Sequence, residues 1–343
     1  GTVTLDSSGS PANVVSTLST GTVTIDANGA TSDVVVNDGI STASGTITLD
    51  ADNDVIFAAE GDIASTSGNV AVTADKDNGG ASSGALTMDD GTLINAGTGT
   101  ITLSADEDVT LGGLLTTNAT NAAVTLTSTE GGIVDGGDTT VDVVAAGGRL
   151  VIDAVTGVGA AGAIDATVDS LDLDNATSGN VDVAETDAIT VVKAVQGTTG
   201  DVQIASAGGT VTLDSSGSPA NVVSTLLTGT ITIDANGATS DVVVNDGIST
   251  ASGAITLDAD NDVIFAAEGD IASTSGNVAV TADKDAGGAS SGALMMNNGT
   301  LINAGSGTIT LSAGEGVTLG GLLTTNTGAT AVTLTSTAGG IVD

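Results

Sequence analysis

Along almost the whole chain, apolar residues recur at every second position in runs of three to five, with polar residues between them. In Gly45-Thr-Ile-Thr-Leu, the apolar Ile47 and Leu49 alternate with Thr46 and Thr48. Successive side chains of a β-strand point to opposite faces, so this pattern predicts short strands with one apolar and one polar face. A second short run such as Asp54-Val-Ile-Phe or Asp108-Val-Thr-Leu follows each opening run, and often a third, such as Asp62-Ile-Ala. Gly, Asn, Asp and Ser separate them, which is the chemistry of turns. No stretch carries sustained i, i+3, i+4 apolar spacing with helix caps, so no helix is expected.

Two periods organise these strands. Gly1–Asp135 aligns with Gly209–Asp343 at a constant offset of 208 without a gap, with 120 of 135 pairs identical. The stretch Ile47–Asp77 returns unchanged as Ile255–Asp285, polar positions included. Residues 1–208 thus read as one full repeat unit of a continuous solenoid and 209–343 as a partial second copy. Within the unit a looser phrase, Gly-polar-apolar-polar-apolar, opens each turn at Gly21, Gly45, Gly68, Gly99, Gly148, Gly179 and Gly200, with Ala122 starting a variant. Those openings predict turns of roughly 26 residues.

Short strands at this spacing fit a sandwich, a propeller or a solenoid. Hairpins would need tight two-residue turns between like strands, and few occur. A recurring opening phrase instead suggests equivalent strands stacked in register, turn upon turn. The expected fold is therefore all-β: a parallel β-helix of about 13 turns, each of roughly 20–30 residues. At about 4.8 Å per stacked strand the rod would be on the order of 60 Å long.

Composition sharpens this picture. There are 50 Gly, no Cys, His, Trp or Tyr, and two Phe, so Ala, Val, Ile and Leu must fill the interior. Such small side chains suit a narrow bore better than a globular core built on aromatic residues. Acidic residues outnumber basic ones 42 to 4, for a formal net charge of −38. A charge of that size accompanies disorder in chains poor in β-branched residues, but this one is rich in Val, Ile and Thr. It argues against nucleic acid and anionic membrane as partners, since both would repel it. No apolar run reaches the length of a membrane-spanning helix, and Gly1 opens no basic, then apolar, signal-peptide pattern.

The phrases GTVTLD at Gly1, GTITLDADNDV at Gly45 and GTITLSADEDV at Gly99 resemble the repeats of filamentous-haemagglutinin-type adhesins and other giant repetitive bacterial surface proteins. That resemblance implies a right-handed parallel β-helix, secretion, and a place in adhesion or in a cell-surface fibre.

Candidate chemistry is sparse. Asp50, Asp52 and Asp54 offer oxygens at i, i+2 and i+4, repeated as Asp258, Asp260 and Asp262. Calcium is the cation such hard ligands would suit, against the plainer reading of a turn with solvated carboxylates. The similar Ser104-Ala-Asp-Glu-Asp108 becomes Ser312-Ala-Gly-Glu-Gly316 in the copy. Gly157-Val-Gly-Ala-Ala-Gly162 has dinucleotide-binding spacing, yet an alternating run follows where a helix would be needed, so a glycine-rich corner is expected. The Thr-x-Thr pairs (Thr22/Thr24, Thr46/Thr48, Thr100/Thr102) are too often interrupted to make an ice-matching array, and serve strand propensity. Asn118-Ala-Thr, Asn175-Ala-Thr and Asn298-Gly-Thr fit the N-glycosylation pattern, in a chain where chance matches are common. Without His or Cys, Ser/His and Cys/His nucleophilic catalysis is excluded. Only Lys76, Arg149, Lys193 and Lys284 are basic, and Phe57 and Phe265 fall on an inward face, so sugar-cleaving chemistry is not expected either.

Near-identity that extends over surface residues is what selection on reach, or on an array of equal surfaces, would maintain. The expected role is a structural segment of an extracellular fibre or adhesin stalk, partnered by itself or by other cell surfaces. The alternative is a laterally assembling sheath or surface layer, its rods bridged by cations. No enzymatic activity is expected.

Overall fold

β-branched residues at alternating positions favour the extended pleat, and the chain adopts it throughout. The computed structural model describes residues 1–7, 13–77, 83–137, 140–215, 221–285 and 292–343. Among them there are strands and turns but no helix. The chain divides into two compact units, Gly1–Asp169 and Ser170–Asp343. Each is a parallel β-solenoid, and together they hold about 14 coils.

A typical coil carries three strands, each paired with its equivalents in the coils before and after. In the first unit one column runs through Val23–Ala27, Ile47–Ala51, Val70–Thr73, Ile101–Ala105 and Val124–Ser128 to Leu150–Asp153, always parallel. A second column runs through Val3–Leu5, Val34–Val36, Val55–Phe57, Leu86–Met88, Val109–Leu111 and Ile133–Asp135. The third passes through Asn13–Thr17, Gly39–Thr42, Ile63–Ser65, Leu93–Gly97 and Gly113–Thr116. In the second unit the same three columns recur at an offset of 208, beginning with Val211–Leu213, Asn221–Thr225 and Ile231–Ala235.

Alternation places the apolar residues inside, as expected. Ile47, Leu49, Val70, Val72, Ile101 and Leu103 are fully buried, stacked like on like along their column. Each such side chain contributes about 1.5–3 kcal/mol of apolar burial. Phe57 and Phe265, the largest, are also fully enclosed.

The glycine that opens each phrase has a steric reason. A Cβ on Gly45 would lie 1.8 Å from the Gly21 carbonyl oxygen, and one on Gly68 2.0 Å from that of Gly45. At Gly45 and Gly68 the backbones approach too closely for any other residue.

Coil length is less even than the phrase spacing predicts. Val70 is in register with Ile101, a long step along the chain, whereas Val181 is in register with the much nearer Val202. The 12-residue strand Ile164–Asn175 follows Gly162-Ala163, an opening not among those counted from the sequence. Its Ser170–Asn175 segment is in register with Thr190–Gln196, so it supplies a coil of its own. Glycine phrases therefore undercount the coils between residues 136 and 208.

Candidate functional site

Acidic side chains are the chemistry this chain offers, and their geometry follows from where each coil turns a corner. Backbone N–H groups at a corner leave the strand ladder and need another acceptor. The residue just before a strand is repeatedly Asp or Asn, and its side-chain oxygen accepts the N–H of the equivalent residue one coil on. Asp54 Oδ1 accepts from Ala85 N at 2.9 Å, Asp62 Oδ1 from Leu93 N at 2.8 Å, and Asn69 Oδ1 from Thr100 N at 3.0 Å. Asp108 Oδ1 accepts from Gly132 N at 2.8 Å. In the second unit Asp201 takes Thr230 N, Asp262 takes Ala293 N, Asp270 takes Leu301 N and Asn277 takes Thr308 N. Many of the carboxylates are thus staples between successive coils.

This determines what becomes of the three aspartates at i, i+2 and i+4. Asp50 points outward from its strand, in register with Asp26 of the preceding coil. Asp52 Oδ2 accepts the N–H of Gly29, one coil back, at 2.5 Å. Asp54 reaches one coil forward to Ala85. In the copy, Asp258 stands in register with Asp234, Asp260 accepts from Gly237 N at 2.7 Å, and Asp262 reaches Ala293. In each set the second side chain reaches back to the preceding coil and the third forward to the following one. Among the described residues no group of three or more Asp or Glu is arranged to hold a metal ion.

Outward-facing stacked aspartates are met by lysines. Lys76 Nζ lies 2.9 Å from Asp26 Oδ2, and Lys284 Nζ 2.5 Å from Asp234 Oδ2. Lys193 pairs with Asp174 in the same manner. The Lys76 hydrogen bond holds Asp26 below the usual carboxylate value, and Asp26 in turn raises Lys76. Burial pushes Asp258 up, against the opposing pull of Thr281 and Lys284.

Asp75 is different. It sits where the first column turns into the second, in the left-handed backbone region at φ 55°, as its copy Asp283 does at φ 62°. These are the only non-glycine residues with positive φ among those described. Asp75 is 7% exposed, and its enclosed Oδ1 receives no hydrogen bond. Desolvation first, then contact with Asp77 and the charges of Asp106 and Asp52, raise it above the ordinary value.

A second polar system, inside the bore, was not read from the sequence. At the corner where the third column returns to the first, inward Thr, Ser, Asn and Gln side chains hold the glycine carbonyls. Thr42 Oγ1 donates to Gly45 O at 2.7 Å, and Ser65 Oγ accepts Gly68 N at 2.8 Å. Asn175 Nδ2 donates to Gln196 Oε1 at 2.6 Å. The signal for it was a polar residue three or four positions before an opening glycine, as Thr42 before Gly45, Ser65 before Gly68, Asn175 before Gly179 and Gln196 before Gly200. Asn175 is fully buried, so this glycosylation match is an internal amide. Asn118 Nδ2 donates to Thr98 O, and Asn298 is exposed.

Within the Gly157–Gly162 stretch, buried Val158 forms a parallel bridge to Ile133: Ile133 N donates to Gly157 O, and Gly159 N to Ile133 O. No helix follows it; the strand Ile164–Asn175 does. Compared with family models, with curated proteins and with solved structures, the chain finds no match in any of the three.

Proposed function

We propose that this chain is a structural segment of an extracellular fibre or adhesin stalk, an acidic solenoid whose reach is set by the number of its repeats. The observation that carries this reading is the near-identity of the two copies, outward positions included. A single recognition site would need one surface kept and would leave others to drift. A spacer needs its repeats to bear the same load, and here the same staple recurs in both copies, Asp54 to Ala85 and Asp262 to Ala293. The likeness of GTITLDADNDV to adhesin repeats supports the same reading, with the segment at a cell surface. Its partners are then further copies of itself or other cell surfaces.

Lateral assembly into a sheath or surface layer is a second reading, favoured by one observation. Leu18 and Leu226, equivalent in the two copies, are 96% and 60% exposed, and Leu227 replaces Ser19 beside them. Exposed leucines recurring with the repeat would give each period an apolar contact.

Electron microscopy of the purified chain, beside a chain lengthened by one further full period, tests both. Single particles that lengthen by about 4.8 Å per added coil support the stalk. Ordered sheets or bundles support the layer, and particles of unchanged length overturn both.

A further inference from the structure

Asn-Gly is the dipeptide most prone to lose its amide nitrogen, because glycine has no side chain to keep its backbone nitrogen from the asparagine Cγ. Four such pairs occur here, at Asn28, Asn78, Asn236 and Asn298, and Asn78 lies outside the described residues. The other three differ in what holds the glycine N–H. Gly29 N donates to Asp52 Oδ2 at 2.5 Å, and Gly237 N to Asp260 Oδ2 at 2.7 Å. A carboxylate that accepts an N–H commits that group to a charge-assisted bond, and its negative charge opposes loss of the proton. Asn28 is itself exposed, so access to water alone does not expose it to this reaction.

Asn298-Gly299 has no such guard. Thr300 N donates to Asn297 O at 3.1 Å and Thr300 Oγ1 to the same oxygen at 2.9 Å, closing a turn with Asn298 and Gly299 at its tip. Both tip residues are exposed. Gly299 stands at φ 104°, with nothing within 4 Å of its Cβ position. Among the described residues, neither the Gly299 N–H nor the Asn298 side chain has a hydrogen-bond partner. The first copy makes the same turn with Asp90-Gly91: Thr92 N donates to Asp89 O at 3.1 Å, and Gly91 has a φ of 86°. A carboxylate at this tip therefore fits the fold. The guarded pair, by contrast, keeps its asparagine in both copies.

We infer that Asn298 is a self-modifying site, deamidated without an enzyme, and that Asp52 and Asp260 protect Asn28 and Asn236 from the same reaction. The Gly299 nitrogen bonds to Asn298 Cγ and gives up its proton. The Cγ–Nδ2 bond breaks, the nitrogen leaves as ammonia, and a succinimide ring remains. Water then adds to either ring carbonyl and breaks its bond to the Gly299 nitrogen. Opening at Cγ leaves aspartate; opening at the backbone carbon leaves isoaspartate, with the chain routed through Cβ. The sum is one water consumed and one ammonia released. Aspartate gives the second copy the tip that the first already has, and adds a negative charge to an acidic surface as the chain ages.

The test is peptide mapping by mass spectrometry of the whole folded chain, after incubation at physiological temperature in mildly alkaline buffer. Asn298 should gain the mass of an amide-to-acid exchange about tenfold or more faster than Asn28 or Asn236. In urea, where no neighbouring coil holds either glycine, the three should convert at similar rates. Asp52→Ala should bring Asn28 up to the rate of Asn298 and leave Asn236 unchanged, and Asp260→Ala should do the reverse. Asp52→Asn keeps an acceptor oxygen and should leave Asn28 protected. An Asn298 that stays intact in the folded chain while converting in urea overturns the inference. Equal rates at the three sites in the folded chain overturn the protective role, as does an Asn28 that still resists in Asp52→Ala.

Discussion

Asp54 Oδ1 accepts the backbone N–H of Ala85 at 2.9 Å, joining two residues 31 positions apart on successive coils. Removing the acceptor strands a half-buried amide, which costs about 1–3 kcal/mol. Asp54→Ala should therefore speed hydrogen exchange at the Ala85 amide by roughly ten- to a hundredfold, a factor of ten being about 1.4 kcal/mol. Asp54→Asn keeps an acceptor oxygen and should show much less. Asp262→Ala, read at Ala293, is an independent repeat of the measurement in the second copy.

Gly45 tolerates no side chain, since a Cβ there would meet the Gly21 carbonyl oxygen at 1.8 Å and its carbon at 2.5 Å. The obstacle is backbone on both sides, so relief requires the coils to separate. Gly45→Ala should destabilise the first unit by about 1–3 kcal/mol or more, seen as a lowered urea midpoint. Gly91→Ala is a contrast, because nothing lies within 4 Å of its Cβ position, although its φ of 86° carries a strain of its own.

Asn175 is fully buried, and its amide donates to Gln196 Oε1 and Ser178 O. Asn175→Ala leaves those carbonyls without their donor inside the bore, at about 1–3 kcal/mol. Denaturant melts should show the loss. The pair substitution Asn175→Val with Gln196→Leu should recover part of it, since fewer polar groups then remain buried.

Asp75, Asp258 and Asp283 are each held above the ordinary carboxylate value, with burial the leading cause. A raised folded pKa means that the folded chain binds the proton more readily than the unfolded one. Ionisation of these three groups thus opposes folding at neutral pH, and that opposition lifts as pH falls through their raised values. Asp26 has the opposite sign. Its lowered value, set by Lys76, contributes stability above the ordinary 3.8 and loses it as pH falls through the folded value. In a chelator, the melting temperature by circular dichroism should rise from pH 7 toward about 4 and turn down below it. A fall throughout that range contradicts this assignment, and Asp75→Asn should flatten the rise.

Much of this fold was legible because one side-chain period of two governs it. Ile47 and Leu49 declared their face by alternating with Thr46 and Thr48, and stacking made the same face recur in every coil. Other parts were hidden by different causes. The coil containing Ile164–Asn175 escaped because Ala163 follows its Gly162, which breaks the Gly-polar-apolar phrase. Asp52 and Asp54 are near neighbours along the chain, yet the corner between them sends one back a coil and the other forward, and spacing alone carries no information about that direction. The staples join positions far apart in the chain, although an Asp or Asn directly before a strand would have marked the acceptors. Asp75 gave no sign at all, since its burial arises from its left-handed backbone and from the coils on either side.

Ile189–Val191 lies in register with Val211–Leu213, and Ala194–Gln196 with Val223–Thr225. The seam between one period and the next is thus an ordinary parallel rung, sealed like any other. Slippage or recombination that splices a whole period into the gene at that seam hands the newcomer a neighbour it already matches, on both sides. The encoded polymer can then expand or contract in fixed quanta across generations without inventing a single new interface.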